Sequence, residues 1–244
     1  NLFRVGDYKS AMEPFIRDSM SDKDRSSSKE WMEDLWSSWK EEVAKNRNLS
    51  PSDLQYFADN LDALIEENQG NFGQTLIKSK IIDKLLNRTG SKAYLKTLLG
   101  PSENTEEAFA NISLEEYWQV IEAESSSPDS KNNIAVIIAQ GNILDGSHSS
   151  GSIGGDSTAR LIRNAAQNKN TKAIVLRVDS GGGSAFASEV IREEIVAAKN
   201  LNIPVIASMA NVAASGGYWI SVSADEVWAA HNTITGSIGV FGAI

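Results

Sequence analysis

Three apolar runs constrain this chain most: Ile134–Ala139, which is continuous, and Ala173–Val178 and Pro204–Met209, interrupted only by Arg177 and Ser208. Each is long enough for a buried strand and too short for a core helix. A loop of small residues and a helix-like segment follow each one. Gly146 to Gly155 is rich in glycine and serine and precedes a helical pattern from Asp156 to about Gln167, with Leu161, Ile162 and Ala165 on one face. The second run closes on Asp179-Ser180-Gly181-Gly182-Gly183-Ser184, ahead of a helix over 184–199. The third feeds Ala210-Asn211-Val212-Ala213-Ala214-Ser215-Gly216-Gly217-Tyr218-Trp219, with a helix from 215 and a short strand near Val227-Trp228. Strands that alternate with helices predict βαβ units and a mostly parallel sheet.

The chain before this region has a different texture. Residues 26–122 read as mostly helical. Trp31, Leu35, Trp36, Trp39 and Val43 recur at helical spacing and predict a core-facing helix over 26–45, a subunit or membrane-interface contact being the alternative. Ser50-Pro51-Ser52-Asp53 is a helix start, with a cap, a proline at the first position and an acid in the first turn. That helix runs to Gly70. Others are expected over 74–87 and 92–99, where Gly100-Pro101 ends the last. Ser113-Leu114-Glu115-Glu116 has the pattern of a capping box. Residues 1–20 read as a strand end, a turn and extended chain bounded by Pro14. The polar stretch 125–133 is a linker. It places a domain boundary near 130, with 1–130 the end of one domain and 131–244 the start of a second.

Composition removes several classes of function. The net charge of -9 leaves no basic stripe to neutralise phosphates, so no nucleic-acid partner is expected. Without cysteine there is no thiol nucleophile, disulfide or thiolate metal site. Two histidines, His148 and His231, do not make a multi-histidine zinc site. No run approaches the roughly 18 apolar residues that span a bilayer. The chain lacks an initial Met and stops inside the apolar run Val240–Ile244, so it reads as an internal fragment of a longer protein.

Chemistry concentrates at Ser215. Small neighbours let other atoms approach its hydroxyl, and Gly216 places a backbone N–H beside it with no side chain in the way. Such a serine is either a helix cap in a packed turn or a nucleophile whose attack creates an oxyanion. Asp179–Ser184 supplies further exposed N–H groups at a strand's carboxyl end. Gly146–Gly151 has the glycine spacing of a phosphate loop but lacks the following Lys-Ser/Thr, which argues against nucleotide binding. A serine hydroxyl needs a base. By position His231 could serve, since it follows Ser215 after a short strand. His148 lies in a serine-glycine loop. Asp179 reads as a loop or cap residue.

Four ordered motifs resemble one family. They are the R-x-G-x-Y-K-S-A-x-E-P-F run at Arg4–Phe15, the D-S-G-G-G-S loop, A-A-S-G-G-Y-W at Ala213–Trp219 and T-G-S-I-G at Thr235–Gly239. Together they are similar to the long, two-domain form of the signal peptide peptidase A (protease IV) family, in the Clp protease/crotonase superfamily. One position departs: the family usually has proline where Gly181 stands, which leaves a looser turn.

The resemblance implies a Clp protease/crotonase-like α/β fold of repeated ββα units with a mostly parallel sheet, preceded by a largely helical region. It also implies a serine endopeptidase with a Ser–Lys dyad acting on remnant signal peptides, with no cofactor and no metal. Carried over by motif, Ser215 is the nucleophile and Lys9 the base, in place of the solvated surface lysine that most lysines are. Burial would keep the lysine amine neutral. Gly216 with Gly182 or Gly183 would donate to the oxyanion, and Ser237 would hold the lysine amine or act as a turn hydroxyl. A peptide partner, a homo-oligomer (a tetramer) and anchoring in the bacterial inner membrane facing the periplasm, through a segment outside this chain, are implied as well. Two other classes share these features: a crotonase-type acyl-CoA enzyme and a non-catalytic binding or scaffold domain.

Overall fold

The computed structural model describes residues 2–102, 109–125 and 132–243. In chain order the elements are β1 (Leu2–Val5), α1 (Glu13–Ile16), α2 (Asp22–Arg47), α3 (Pro51–Asp59), α4 (Leu61–Glu67), α5 (Phe72–Lys78), α6 (Arg88–Leu99) and α7 (Leu114–Ser125). Then follow β2 (Asn133–Gln140), β3 (Ile143–Leu144), β4 (Ile153–Gly154), α8 (Gly155–Gln167), β5 (Thr171–Ser180), α9 (Ala185–Asn200) and β6 (Val205–Ala214). The last are α10 (Gly216–Ser221), β7 (Glu226–Trp228), β8 (Ile234–Gly236) and β9 (Val240–Ala243). The chain is mixed α/β, with a parallel sheet preceded by a helical region. It divides into two compact units, Asn1–Leu35 with Ser130–Ile244, and Trp36–Asp129.

In the first unit β2, β5, β6 and β7 form a sheet in that order, every pair parallel, and β8 pairs with the far end of β6. Ile174 and Leu176 of β5 share one core with Ile162 of α8, Ile191 and Ile195 of α9 and Ile220 of α10. All six side chains are fully buried, each contributing about 1.5–3 kcal/mol relative to exposure. The helices follow from their sequences. Ser184 caps α9 by accepting the Ala187 N–H, and α8 opens after the extended Gly154. The run in β2 is apolar throughout, but its residues alternate: Ile137 and Ala139 are buried, while Ile134, Val136 and Ile138 are exposed. β3 and β4 form a separate two-stranded parallel ladder, β3 just before the loop read from sequence over Gly146–Gly155 and β4 inside it.

β1 pairs antiparallel with β9, from Leu2↔Ala243 to Val5↔Val240. That pairing places the first segment in the serine-bearing unit. The linker over 125–133 and the boundary near 130 lie largely outside the described residues. Pro14 sits in the first turn of the short helix α1, where its missing N–H costs nothing, so the segment is not the extended chain its proline suggested.

In the second unit Ser50 and Asp53 close a capping box, and Ser113 and Glu116 make the same reciprocal bonds ahead of α7. The helix read from 51 to 70 is two helices that meet at Asn60, outside the helical region at φ -121° and ψ 21°. The helix read over 74–87 stops at Lys78, and Lys80 is left-handed at φ 58°. Asn87 then caps α6, which therefore starts four residues before the expected Lys92. The tryptophans are a further correction. Trp36 and Trp39 stack at 4.9 Å and Trp36 donates to Gln55, yet both remain exposed, and α2 buries only Ala44. The α2 ring stripe is thus a surface feature here and not a core face. Among the described residues no helix is long and apolar enough to cross a membrane.

Candidate active site

β6 ends at Ala214, and Ser215 begins the turn into α10. Its backbone has φ 53° and ψ -118°, a region that L-residues with a Cβ rarely occupy. The chain is held there from two sides. The Ser215 N–H donates to the Gly236 carbonyl at 2.9 Å, and the Ser215 carbonyl accepts from the Trp219 N–H at 2.9 Å. Although Ser215 stands at the N-cap position, its side chain makes no capping bond. The hydroxyl is turned to another partner, which is Lys9.

Lys9 follows β1 in a turn closed by its own N–H on the Gly6 carbonyl. Its Nζ lies 2.9 Å from Ser215 Oγ, 3.1 Å from the Ser237 carbonyl and 3.2 Å from Ser237 Oγ. The residue is 8% exposed, and burial pushes the amine's pKa below its ordinary value. Among the described residues no carboxylate is a hydrogen-bond partner of the amine to hold the proton on. Around the turn Ser10 donates to Asp24 at 2.6 Å, and Glu13 accepts the Ser21 N–H. Ser237 is itself left-handed at φ 51°, in the turn between β8 and β9. β8 is paired to β6 and β9 to β1, so one connection holds both the serine strand and the lysine strand.

The glycine loop passes directly over the serine. A Cβ on Gly182, at φ 103°, would sit 2.7 Å from the Gly216 nitrogen and 2.7 Å from Ser215 Cβ. A Cβ on Gly216 would sit 2.6 Å from Ser188 Oγ. Both positions therefore exclude any side chain. Ile143 clamps the loop: its N–H donates to the Gly182 carbonyl and its carbonyl accepts from the Ser184 N–H. Ser180, buried at the end of β5, accepts the Gly182 N–H at 3.1 Å and donates to the Gly141 carbonyl at 2.7 Å. Of the two loop glycines offered as donors, Gly182 thus has its N–H occupied. The Gly183 and Gly216 N–H groups have no acceptor among the described residues.

The other candidates lie elsewhere. His148 meets the Asp145 carbonyl through Nε2 at 3.0 Å, and His231 is exposed in a turn. Asp179 Oδ1 accepts the Val212 N–H, a role in fixing the strand ends. Ser180 was missed in the sequence because a serine beside three glycines carries no sign of which N–H it will meet. A cleft of about 930 Å³ runs past Ser215 and Lys9, lined also by Gly183, Trp219, Ile238 and Phe241.

Residues 1–100 and 197–244 match the peptidase family S49. The chain belongs to this family. Protease 4 of Salmonella typhi is 42% identical over 248 residues, covering 100% of this chain and 38% of that protein. Protease 4 of Haemophilus influenzae is 38% identical, covering 99% of this chain and 39% of the relative. The chloroplastic serine protease SPPA of Arabidopsis thaliana is 29% identical over 98% of this chain and 34% of its own length. The S49 chain thus spans about two-fifths of the length of the curated relatives it matches. Among solved structures, ClpP1 from Listeria monocytogenes has a TM-score of 0.29 at 15% identity, covering 41% of this chain and 50% of its own. The 1510-N membrane-bound stomatin-specific protease has a TM-score of 0.30 at 28% identity, covering 39% and 43%.

Proposed function

We propose that this S49 chain carries the reaction centre of a serine endopeptidase with a Ser–Lys dyad, Ser215 being the nucleophile and Lys9 the general base. The observation that carries this reading is the 2.9 Å approach of a buried amine to the Ser215 hydroxyl. A neutral Lys9 amine takes the hydroxyl proton as Oγ bonds to the scissile carbonyl carbon. The carbonyl oxygen becomes an oxyanion, to which the Gly216 and Gly183 N–H groups donate. Each such donor is worth about 3 kcal/mol in the transition state. The lysine ammonium then returns its proton to the leaving amine as the C–N bond breaks. Water, deprotonated by the same amine, releases the acyl group and regenerates Ser215. Ser237 keeps Nζ aimed at Oγ through its hydroxyl and carbonyl.

By the same reading the substrates are peptides left by signal-peptide removal, and an apolar cleft suits them. The whole protein is then a homo-oligomer, a tetramer, anchored at the bacterial inner membrane and facing the periplasm. Residues 1–130 and 131–244 would be the end of its N-terminal domain and the start of its catalytic domain. The names of the Protease 4 relatives support the peptidase class.

The test is peptide hydrolysis by the full-length protein and by its Ser215→Ala and Lys9→Ala variants. Both variants are expected to lose activity, and full activity in either would overturn the assignment. A serine-reactive fluorophosphonate should label Ser215, whereas an acyl-CoA enzyme of the same fold would leave it unlabelled.

A further inference from the structure

Lys9 and Arg192 are the only charged side chains among the described residues that line the cleft. Arg192 stands on α9 and lines the cleft together with Trp219 of α10 and with Val222. Glu189, one turn earlier on α9, receives Arg192 Nε at 2.8 Å, Arg192 Nη2 at 2.6 Å and Trp219 Nε1 at 2.8 Å. The guanidinium side chain is 29% exposed and the carboxylate 38%. The Arg192 bonds, and after them the Trp219 bond, hold the Glu189 carboxyl at about 2, so it is ionised near neutral pH. Trp219 reaches the cluster from one helical turn beyond the nucleophile, with its own N–H on the Ser215 carbonyl. Arg192, carrying Glu189 as its counter-charge, therefore borders the cleft that Ser215 and Trp219 also line.

We propose that Glu189 and Arg192 form a charge filter, specificity-determining residues that admit an uncharged substrate side chain and reject a charged one of either sign. This rests on the peptidase reading above. The pair is neutral as a whole, with the guanidinium Nε and Nη2 on Glu189 and Nη1 reaching Ser223 Oγ at 3.4 Å. An incoming carboxylate would have to displace Glu189, and an incoming ammonium would have to displace Arg192. Either would otherwise give up hydration against largely apolar walls and gain no counter-charge. Each member thus cancels the selectivity the other would impose alone. Removing the carboxylate leaves a cation that favours acidic side chains, and removing the guanidinium leaves an anion that favours basic ones.

The experiment uses the full-length protein and peptide sets that differ at one residue near the cleaved bond, carrying Gln, Glu or Lys in turn. The wild type is expected to cleave the Glu and Lys peptides about tenfold less well than the Gln peptide at one such position, read as kcat/KM. At that position Glu189→Gln should raise the Glu/Gln ratio about tenfold, and Arg192→Gln should raise the Lys/Gln ratio by a similar factor. The exchanged pair, Glu189→Arg with Arg192→Glu, should restore rejection of both. Unchanged ratios in variants that still cleave the Gln peptide overturn the filter alone. Should a single variant unfold, the wild-type series decides, because equal cleavage of all three peptides also overturns it. A wild type that cleaves no peptide and takes no fluorophosphonate label overturns the peptidase reading, and the filter with it.

Discussion

The Lys9 amine and the Ser215 hydroxyl lie 2.9 Å apart across a sequence separation of 206 residues. Two sheet pairings set that distance: β8 fixes the serine strand, β9 fixes the lysine strand, and Ser237 sits in the turn between them. Ser237→Ala removes one of the three contacts to Nζ and leaves the carbonyl contact in place. A single bond of this kind is worth about 0.5–1.5 kcal/mol, so kcat should fall up to about tenfold, against complete loss in Lys9→Ala. Steady-state kinetics on a reporter peptide would measure both.

The buried amine makes activity and stability depend on pH in the same direction. Its folded pKa lies below the ordinary 10.5, so between the two values the unfolded chain binds more protons than the folded one. Stability therefore rises with pH through that window, and below the folded pKa the charged amine lowers it by a constant amount. The rising limb of kcat/KM should likewise fall below 10.5, as the neutral base appears. Urea unfolding across alkaline pH should show the slope in the wild type and a loss of it in Lys9→Met.

Ser180 ties the glycine loop to the end of β2 by accepting from Gly182 and donating to Gly141. Ser180→Ala leaves a buried N–H and a carbonyl without that partner, at a cost of about 1–3 kcal/mol. Denaturant unfolding should show this loss. Because the same bond orients the N–H of Gly183, kcat should fall more than KM rises.

Gly182→Ala combines a strained left-handed backbone with a Cβ 2.7 Å from Ser215 Cβ. The loop must move away from Ser215, costing about 1–3 kcal/mol of stability. Activity should drop on the order of 10²-fold, since a shift near 1 Å is enough to do so. Thermal unfolding with parallel kinetics would separate the two effects.

Gly181 behaves differently, although it is next in line. Its φ is not left-handed, and a Cβ there would meet nothing within 4 Å. Gly181→Ala should stabilise the protein by about 0.4–1 kcal/mol, chiefly by restricting the unfolded chain. Calorimetry of the two forms would check the sign.

The strand–loop–helix rhythm after residue 132 was legible because periodicity and small-residue turns report local structure. The strands run longer than their apolar cores, however. β6 extends to Ala214 because its second half pairs with β8, a partner no local pattern reveals. The long helices of the second unit broke where Asn60 and Lys80 leave helical geometry, and neither residue type forbids a helix on its own. At the site, Ser215 and Lys9 were readable only through ordered motifs. Composition alone favoured a cap and a surface lysine. The choice of Gly183 over Gly182 as a free donor depended on the reach of one hydroxyl, Ser180, which is a matter of tertiary distance.

The ladder between β1 and β9 joins residues 2–5 to residues 240–243. Until that ladder forms, the Lys9 amine has no strand to hold it beside the Ser215 hydroxyl. A chain cut between the two strands, or caught before they pair, would keep every side chain of the site and lose their meeting.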